Sequence, residues 1–155
     1  MQHAVGAAIL PFPNEDRVRA VIFVISTDLR LMEPEAHAGR DQKPGSFNRG
    51  DRRGDRAFAI LEKRKPRVFV RDLHKEKPRT WAGSGVGYRT FITVPIGDQS
   101  GAYGLLTLDA PEPGVLTDSD VLLLELIAQM LSVVFASAAK ISPSAGGSEG
   151  RPRGG

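Results

Sequence analysis

Through the first hundred residues the apolar positions fall in short β-branched runs; near the end they form one long, almost continuous block. The run Ala20-Val-Ile-Phe-Val-Ile25 is too short for a typical helix, and its unbroken apolar character predicts a central strand buried on both faces. Thr27-Asp28 separates it from Leu29 to Ala38, a weaker strand expected to return antiparallel, with Pro34 marking an edge or a bulge. Gly39 to Gly54, rich in glycine and charge, reads as a loop. Asp55 then caps a helix over Arg56 to Arg64 whose apolar face is Ala57, Phe58, Ile60 and Leu61, and Pro66 ends it. Val68-Phe-Val70 is a short strand before a basic loop from Arg71 to Gly87.

Next come two longer strands, Tyr88 to Ile96 and Ala102 to Asp109. The turn Gly97-Asp-Gln-Ser-Gly101 between them suits a longer hairpin connection with one residue at positive φ. Pro111, Pro113 and Gly114 break the chain, and Thr117 caps a final helix from about Asp118 to Ala139, with Asp118 and Asp120 at its positive end. Its polar residues Glu125, Gln129 and Ser132 form one narrow stripe, and nearly everything else on it is apolar. One sheet face cannot cover so wide an arc. Residues 1–17, with Pro11 and Pro13, form a lead-in too short for a long covering helix, so the expected cover is a homodimer partner or an upstream segment meeting Leu123, Ile127, Met130 and Val134. The alternative is a deeply buried core helix. Residues 18–140 are thus the folded domain, and residues 141–155, composed largely of Gly, Ser, Pro and Arg, are expected to be a disordered tail.

Composition narrows the functions. The 155 residues suffice for one domain with a core, and the absence of cysteine removes disulfides, thiolate metal sites, cysteine nucleophiles and thioether-linked chromophores. Apolar runs are read as falling short of the ~20 residues that span a bilayer, and the first residues lack a signal peptide's basic leader, so a cytoplasmic location is expected. Charge is asymmetric. Residues 40–79 carry fourteen Lys or Arg against six Asp or Glu, and the remainder seven against twelve, so +8 and −5 make the net +3. Such a middle segment attracts anions or is simply a solvated basic face.

Taken in order, Val18-Arg-Ala-Val-Ile-Phe23, Gly54, Val70-Arg-Asp72, Tyr88-Arg-Thr-Phe-Ile-Thr-Val-Pro-Ile96, Tyr103-Gly-Leu-Leu-Thr-Leu-Asp109 and the Thr117-capped helix resemble a GAF domain, the small-molecule sensor module of phosphodiesterases, cyclases, phytochromes and bacterial signalling proteins. The resemblance covers about residues 17–139. It implies an α+β fold: a central antiparallel sheet of five to six strands, helices packed on one face and a loop-roofed ligand pocket on the other. It also implies pairing through terminal helices. The long N-terminal helix of the family has no counterpart, and the asparagine-lysine, phenylalanine and aspartate-glutamate pattern of cyclic-GMP-binding members has no match. Without cysteine, covalent bilin attachment and the free methionine sulfoxide reductase activity of some members have no chemical basis.

The implied pocket suggests a set of ligand-binding residues. Phe47, Trp81 and Tyr88 flank glycine-rich loops, and Arg40, Arg52 and Arg56 lie close in sequence; stacking rings and guanidinium groups suit a planar anion. Phe58, Asp72, Thr90 and Thr107 complete the set. Each also has an ordinary packing or turn role. Gly45-Ser-Phe-Asn-Arg-Gly50 is not a phosphate loop, because Asp51 stands where the phosphate-binding ammonium belongs. Gly83-Ser-Gly-Val-Gly87 enters a strand rather than a helix and reads as a hinge. His3, His37 and His74 have no metal-ligand spacing, although a haem held by His37 or His74 is a minority alternative. Arg56 to Arg64 lacks the continuous basic face of a nucleic-acid recognition helix. No nucleophile, metal site or acid–base pair stands out, so the expectation is a non-catalytic sensory or regulatory module for a small, anionic ligand whose identity the residues leave unknown. The alternative is a protein-interaction or scaffolding domain with a vestigial pocket.

Overall fold

A computed structural model describes residues 1–10, 17–63, 67–76 and 84–141. Six strands form one antiparallel sheet in the order β3-β2-β1-β6-β5-β4. They are β1 (Arg19–Ile25), β2 (Leu31–Gly39), β3 (Phe47–Asn48), β4 (Val68–Val70), β5 (Thr90–Asp98) and β6 (Gly101–Ala110). The helices are α1 (Gln2–Ile9), α2 (Arg52–Glu62) and α3 (Asp118–Ile141).

Period-2 alternation sends consecutive residues of the central strands to opposite faces. Ala20, Ile22, Ile92, Val94, Ile96, Leu106 and Leu108 pack in one buried cluster with Val5 and Ala8 of α1 and with Val121, Leu124, Ile127, Ala128 and Leu131 of α3. Val21, Phe23, Phe91 and Leu105 point the other way, into a second cluster with Met32, Phe47 and the α2 residues Ala57, Phe58, Ile60 and Leu61. The central run is therefore buried on both sides, as its unbroken apolar character predicts.

Several expectations are corrected in detail. Pro34 does sit at a register shift, since Ile22 pairs Ala36 and Phe23 pairs Pro34, and β3 covers β2 only at Leu31 and Met32. Two residues of the predicted 39–54 loop form β3, a strand too short to leave a periodicity. Helix α2 starts earlier than predicted: Asp51 is the cap, accepting the Gly54 N–H at 2.6 Å, while Asp55 lies in the first turn and accepts the Gly50 N–H at 2.8 Å. Gly54 is where this helix meets β3, because a Cβ there would lie 1.7 Å from the Asn48 carbonyl oxygen. The β5–β6 turn is tighter than predicted. Asp98 pairs Gly101, the Asp98 carboxylate accepts the Ser100 and Gly101 N–H groups, and no turn residue has positive φ. The predicted disordered tail lies almost wholly outside the described residues.

The lead-in, too short for a long covering helix, holds a short one: Gln2–Ile9 is helical and buries Val5 and Ala8 against the core. It covers part of the sheet's helix face but leaves the outer side of α3 open. Contrary to the reading of apolar run lengths, Asp118–Ala138 is long and apolar enough to cross a membrane by length and composition, with a mean hydropathy of 2.1. A third of that stretch is buried inside the fold, where it backs the sheet. Its N-terminus is closed by Thr117 and Asp120: the Asp120 carboxylate accepts the Thr117 N–H at 2.6 Å and its hydroxyl at 2.7 Å. The polar stripe is split: Gln129 is exposed and Glu125 half-buried, whereas Ser132 is buried, accepts the Gly97 N–H and donates to the Ala128 carbonyl.

Candidate functional site

On the sheet face away from α3 lies a cleft of about 140 Å³. Its floor is a small lattice set by strand register. Arg19 of β1, Asp109 of β6 and Phe91 of β5 stand side by side in a first row. Two residues further along each strand, Thr107 and Thr93 are paired opposite one another in a second. Phe23 and Leu105, again paired, form an apolar third. Polarity thus falls along the strands, from ions to hydroxyls to hydrocarbon. The walls come from Gln42 to Gly45 with Phe47 after them, from Arg53, Ala57 and Ile60 of α2, from Val68 of β4, and from Ser84 and Tyr88.

The first row is a buried ion cluster. Arg19 donates twice to Asp109 Oδ2, at 3.0 Å from Nε and 2.7 Å from Nη2, while Arg40 Nη2 donates to Oδ1 at 2.6 Å. The side chains of Arg19 and Asp109 are 10% and 7% exposed, so this carboxylate is shared between two cations almost out of water. Burial pushes the Asp109 carboxyl above its ordinary value, against the pull of Arg19 and then Arg40. Two further donors tie in the roof, Arg19 Nη1 reaching the Gln42 carbonyl at 2.8 Å and Arg40 Nη1 donating to the Gly87 carbonyl, while Arg40 Nε is buried without a partner among the described residues. Gly87 has φ +75°, and a Cβ there would lie 2.9 Å from Gln42 Oε1, so the two loops meet where only glycine is comfortable. Asp109 therefore organises both the floor and the loops above it.

The second row contrasts with hydroxyls elsewhere in the fold that are held by the protein. Thr90 donates to the Val70 carbonyl at 2.9 Å, Ser132 to Ala128 and Thr117 to Asp120. Thr93 is only 6% exposed, yet neither it nor Thr107 has a side-chain hydrogen bond among the described residues. Arg53 lies over the Phe47 ring at 4.6 Å, and Phe47 packs on Phe23 with ring centroids 4.8 Å apart.

Of the residues singled out from sequence, Phe47, Tyr88 and Thr107 line the cleft, and Arg40 reaches it through Asp109. Phe58 lies behind the wall, 2% exposed with Arg49 over its ring at 4.0 Å. Arg52 and Arg56 are on α2 but do not line the cleft. Asp72 is held in its own turn, bonded to the His74 N–H and paired with Arg89 at 2.8 Å. Thr90 shares the parity of Ile92 and faces away. Trp81 lies outside the described residues. Sequence reasoning missed Arg19, Thr93 and Asp109. Strand parity could have found Thr93, because it sits two residues from Phe91 on an alternating strand; the Arg19–Asp109 pairing spans ninety positions and has no local trace.

On α3 the corrections concern phase. Ile127 is in the core and Leu123 is partly buried against it, whereas Met130 and Val134 are outside as expected. Leu122, Leu126 and Val133 join them, and all five are 55–67% exposed. Among the described residues no group of three His, Asp or Glu side chains could hold a metal ion.

The family model for the GAF domain matches residues 7–135. No curated protein sequence matches the chain. Among solved structures, the type II free methionine-R-sulfoxide reductase from Thermoplasma acidophilum is 20% identical, with a TM-score of 0.67 over 88% of this chain and 90% of that one. A segment of a methyl-accepting chemotaxis protein is 16% identical, with a TM-score of 0.72 over 91% and 89%. The GAF domain from an Acinetobacter phosphoenolpyruvate-protein phosphotransferase is 17% identical, with a TM-score of 0.58 over 79% and 73%. Likeness at these identities is likeness of fold.

Proposed function

The chain belongs to the GAF domain family, and we propose that it is a non-catalytic sensory or regulatory module that binds a small anion in the cleft and signals through the outer face of α3. One observation carries this reading: the cleft is built on a sheet face whose opposite side is sealed by α1 and α3, and among the described residues its lining includes Arg19, Lys43 and Arg53 against the single carboxylate of Asp109. An excess of cations over an apolar floor favours a guest that brings negative charge and a hydrocarbon body. A guest touching Lys43 or the Arg19–Gln42 contact also touches the loops that Asp109 holds together, so occupancy shifts the balance between their arrangements.

Free methionine-R-sulfoxide reductase appears among the structural relatives, but thiol chemistry has no residue to perform it here, because the sequence lacks cysteine. Binding without turnover is the role we assign to the cleft.

Output rests on Leu122, Leu126, Met130, Val133 and Val134, an apolar strip that water covers poorly. This strip also favours the second reading, an interaction domain whose cleft stays empty. Thermal denaturation against a panel of nucleotides, phosphates, amino acids and organic acids, with mass spectrometry of co-purified small molecules, separates the two. The sensor reading expects at least one anion to raise the midpoint and Lys43→Glu to weaken that response. Stabilisation by none of the panel, with no co-purified ligand, would favour the interaction domain.

A further inference from the structure

We propose that the cleft selects a small aliphatic 2-oxo or 2-hydroxy monocarboxylate and rejects the amino acid of the same carbon skeleton. This rests on reading the cleft as a ligand site and names what it takes.

Size comes first. A cleft of about 140 Å³ is close to cavities of about 150 Å³ that hold a benzene-sized guest, and well below the roughly 300–1,000 Å³ of sites for drug-sized ligands. A nucleotide is larger than this space and would project from the open cleft, whereas an acid with a branched chain of a few carbons matches it in size.

The rows of the floor then specify the chemistry. A carboxylate belongs at the charged end, where Arg19 lies beside Asp109 and Lys43 and Arg53 add positive charge. A hydrocarbon chain belongs on Phe23 and Leu105 at the other end. Between them stand the hydroxyls of Thr93 and Thr107, set opposite each other and lacking protein partners. Neither oxygen is shut off from water: both open onto the cleft, where a guest can take the place of solvent as their partner. An oxygen on the carbon next to the carboxylate would accept from this pair, which satisfies the cleft's unused hydrogen-bonding capacity.

The same lattice excludes an ammonium group. Both oxygens of Asp109 are engaged by guanidinium groups, Oδ2 by Arg19 and Oδ1 by Arg40, and among the described residues no other carboxylate lines the cleft. An α-ammonium would enter a buried, basic surrounding without a counter-ion, and that repulsion rejects the amino acid even where its chain fits.

Calorimetric titration and thermal denaturation of the full chain test this with 4-methyl-2-oxopentanoate, leucine, 4-methylpentanoate, adenosine monophosphate and inorganic phosphate. The oxo acid should raise the unfolding midpoint and bind at least about tenfold more tightly than leucine or the acid lacking the oxo group, the scale of one lost hydrogen bond or one unpaired charge. The double variant T93V/T107V should lose that preference, and T93S/T107S, which keeps both hydroxyls, should retain it. The wild-type comparison of oxo acid with leucine decides the matter even if the valine pair fails to fold. Equal or tighter binding of leucine, or undiminished oxo-acid binding by a folded T93V/T107V, would overturn the proposal. Stabilisation by the monophosphate or phosphate alone would overturn it while leaving the cleft a ligand site. A lack of response to every probe would overturn the proposal, and the wider panel with mass spectrometry then decides whether the cleft is a ligand site.

Discussion

The two faces of the central sheet are made from the same strands, one residue out of phase, yet they obey different rules. On the helix side, Ile22, Ile92, Leu106 and Leu108 are each fully buried among apolar neighbours. On the cleft side, Arg19, Thr93, Thr107 and Asp109 occupy the intervening positions. The first face is closed by α1 and α3 and holds the fold together through burial, worth about 1.5–3 kcal/mol for each large side chain. The second is half-closed by loops and α2, and keeps ions and unpaired hydroxyls where a simple core would place leucine. A sheet that invests one face in packing can leave the other polar and adaptable.

Substitutions that treat the faces alike should expose the difference. The largest effect is expected from Asp109→Ala, which strands two guanidinium groups: removing one partner of a buried ion cluster costs about 3–5 kcal/mol, and it also releases the contacts to Gln42 and Gly87. Chemical denaturation would measure the loss, and a cost below about 1 kcal/mol would mean that the cluster is not buried as described. On the opposite face, Leu106→Ala should cost about 2–5 kcal/mol through its cavity. The folded fraction should keep its ligand response, because that side chain points to α3; a lost response would couple the two faces more tightly than the packing implies.

Smaller effects sharpen the comparison at its margins. Leu126→Glu and Met130→Glu lie on the exposed side of α3, so monomer stability should change by no more than about 0.5 kcal/mol. Size-exclusion chromatography with light scattering should show reduced self-association or partner binding. An unchanged assembly state in a protein that does associate would move the interface elsewhere.

The smallest effect is expected at acid pH. The His74 N–H, and then Arg89, hold the Asp72 carboxyl below its ordinary value of 3.8. The unfolded chain binds this proton more readily, so the contribution is present above pH 3.8 and fades as pH falls through the folded value. Asp72→Asn should therefore flatten the acid limb of a stability–pH profile below that point and leave neutral-pH cooperativity intact. A steeper limb in the variant would reverse the assigned sign.

Much of the packing on both faces is legible in the amino-acid order. The apolar run 20–25, the strand pair around the 97–101 turn and the apolar face of α2 all follow from periodicity. Errors arise where periodicity carries little information. In α3 almost every position is apolar, so the pattern cannot fix which side turns inward, and Ile127 reads as readily outward as inward. Asp51 and Asp55 are four residues apart and each could cap α2; the choice falls to Gly54, which must touch β3. The cleft is less legible because its chemistry is assembled across the sheet. Arg19, Arg40 and Asp109 are distant in the chain, and only the register β1–β6 brings Arg19 beside Asp109.

The most direct test follows the side-chain methyl resonances of the full chain during titration with 4-methyl-2-oxopentanoate. The account predicts shifts concentrated at Leu105, Thr93 and Thr107, with Ile92, Leu106 and Leu108 on the same strands almost unmoved. Shifts centred on the α3-facing methyls, or no saturable shift anywhere, would contradict it.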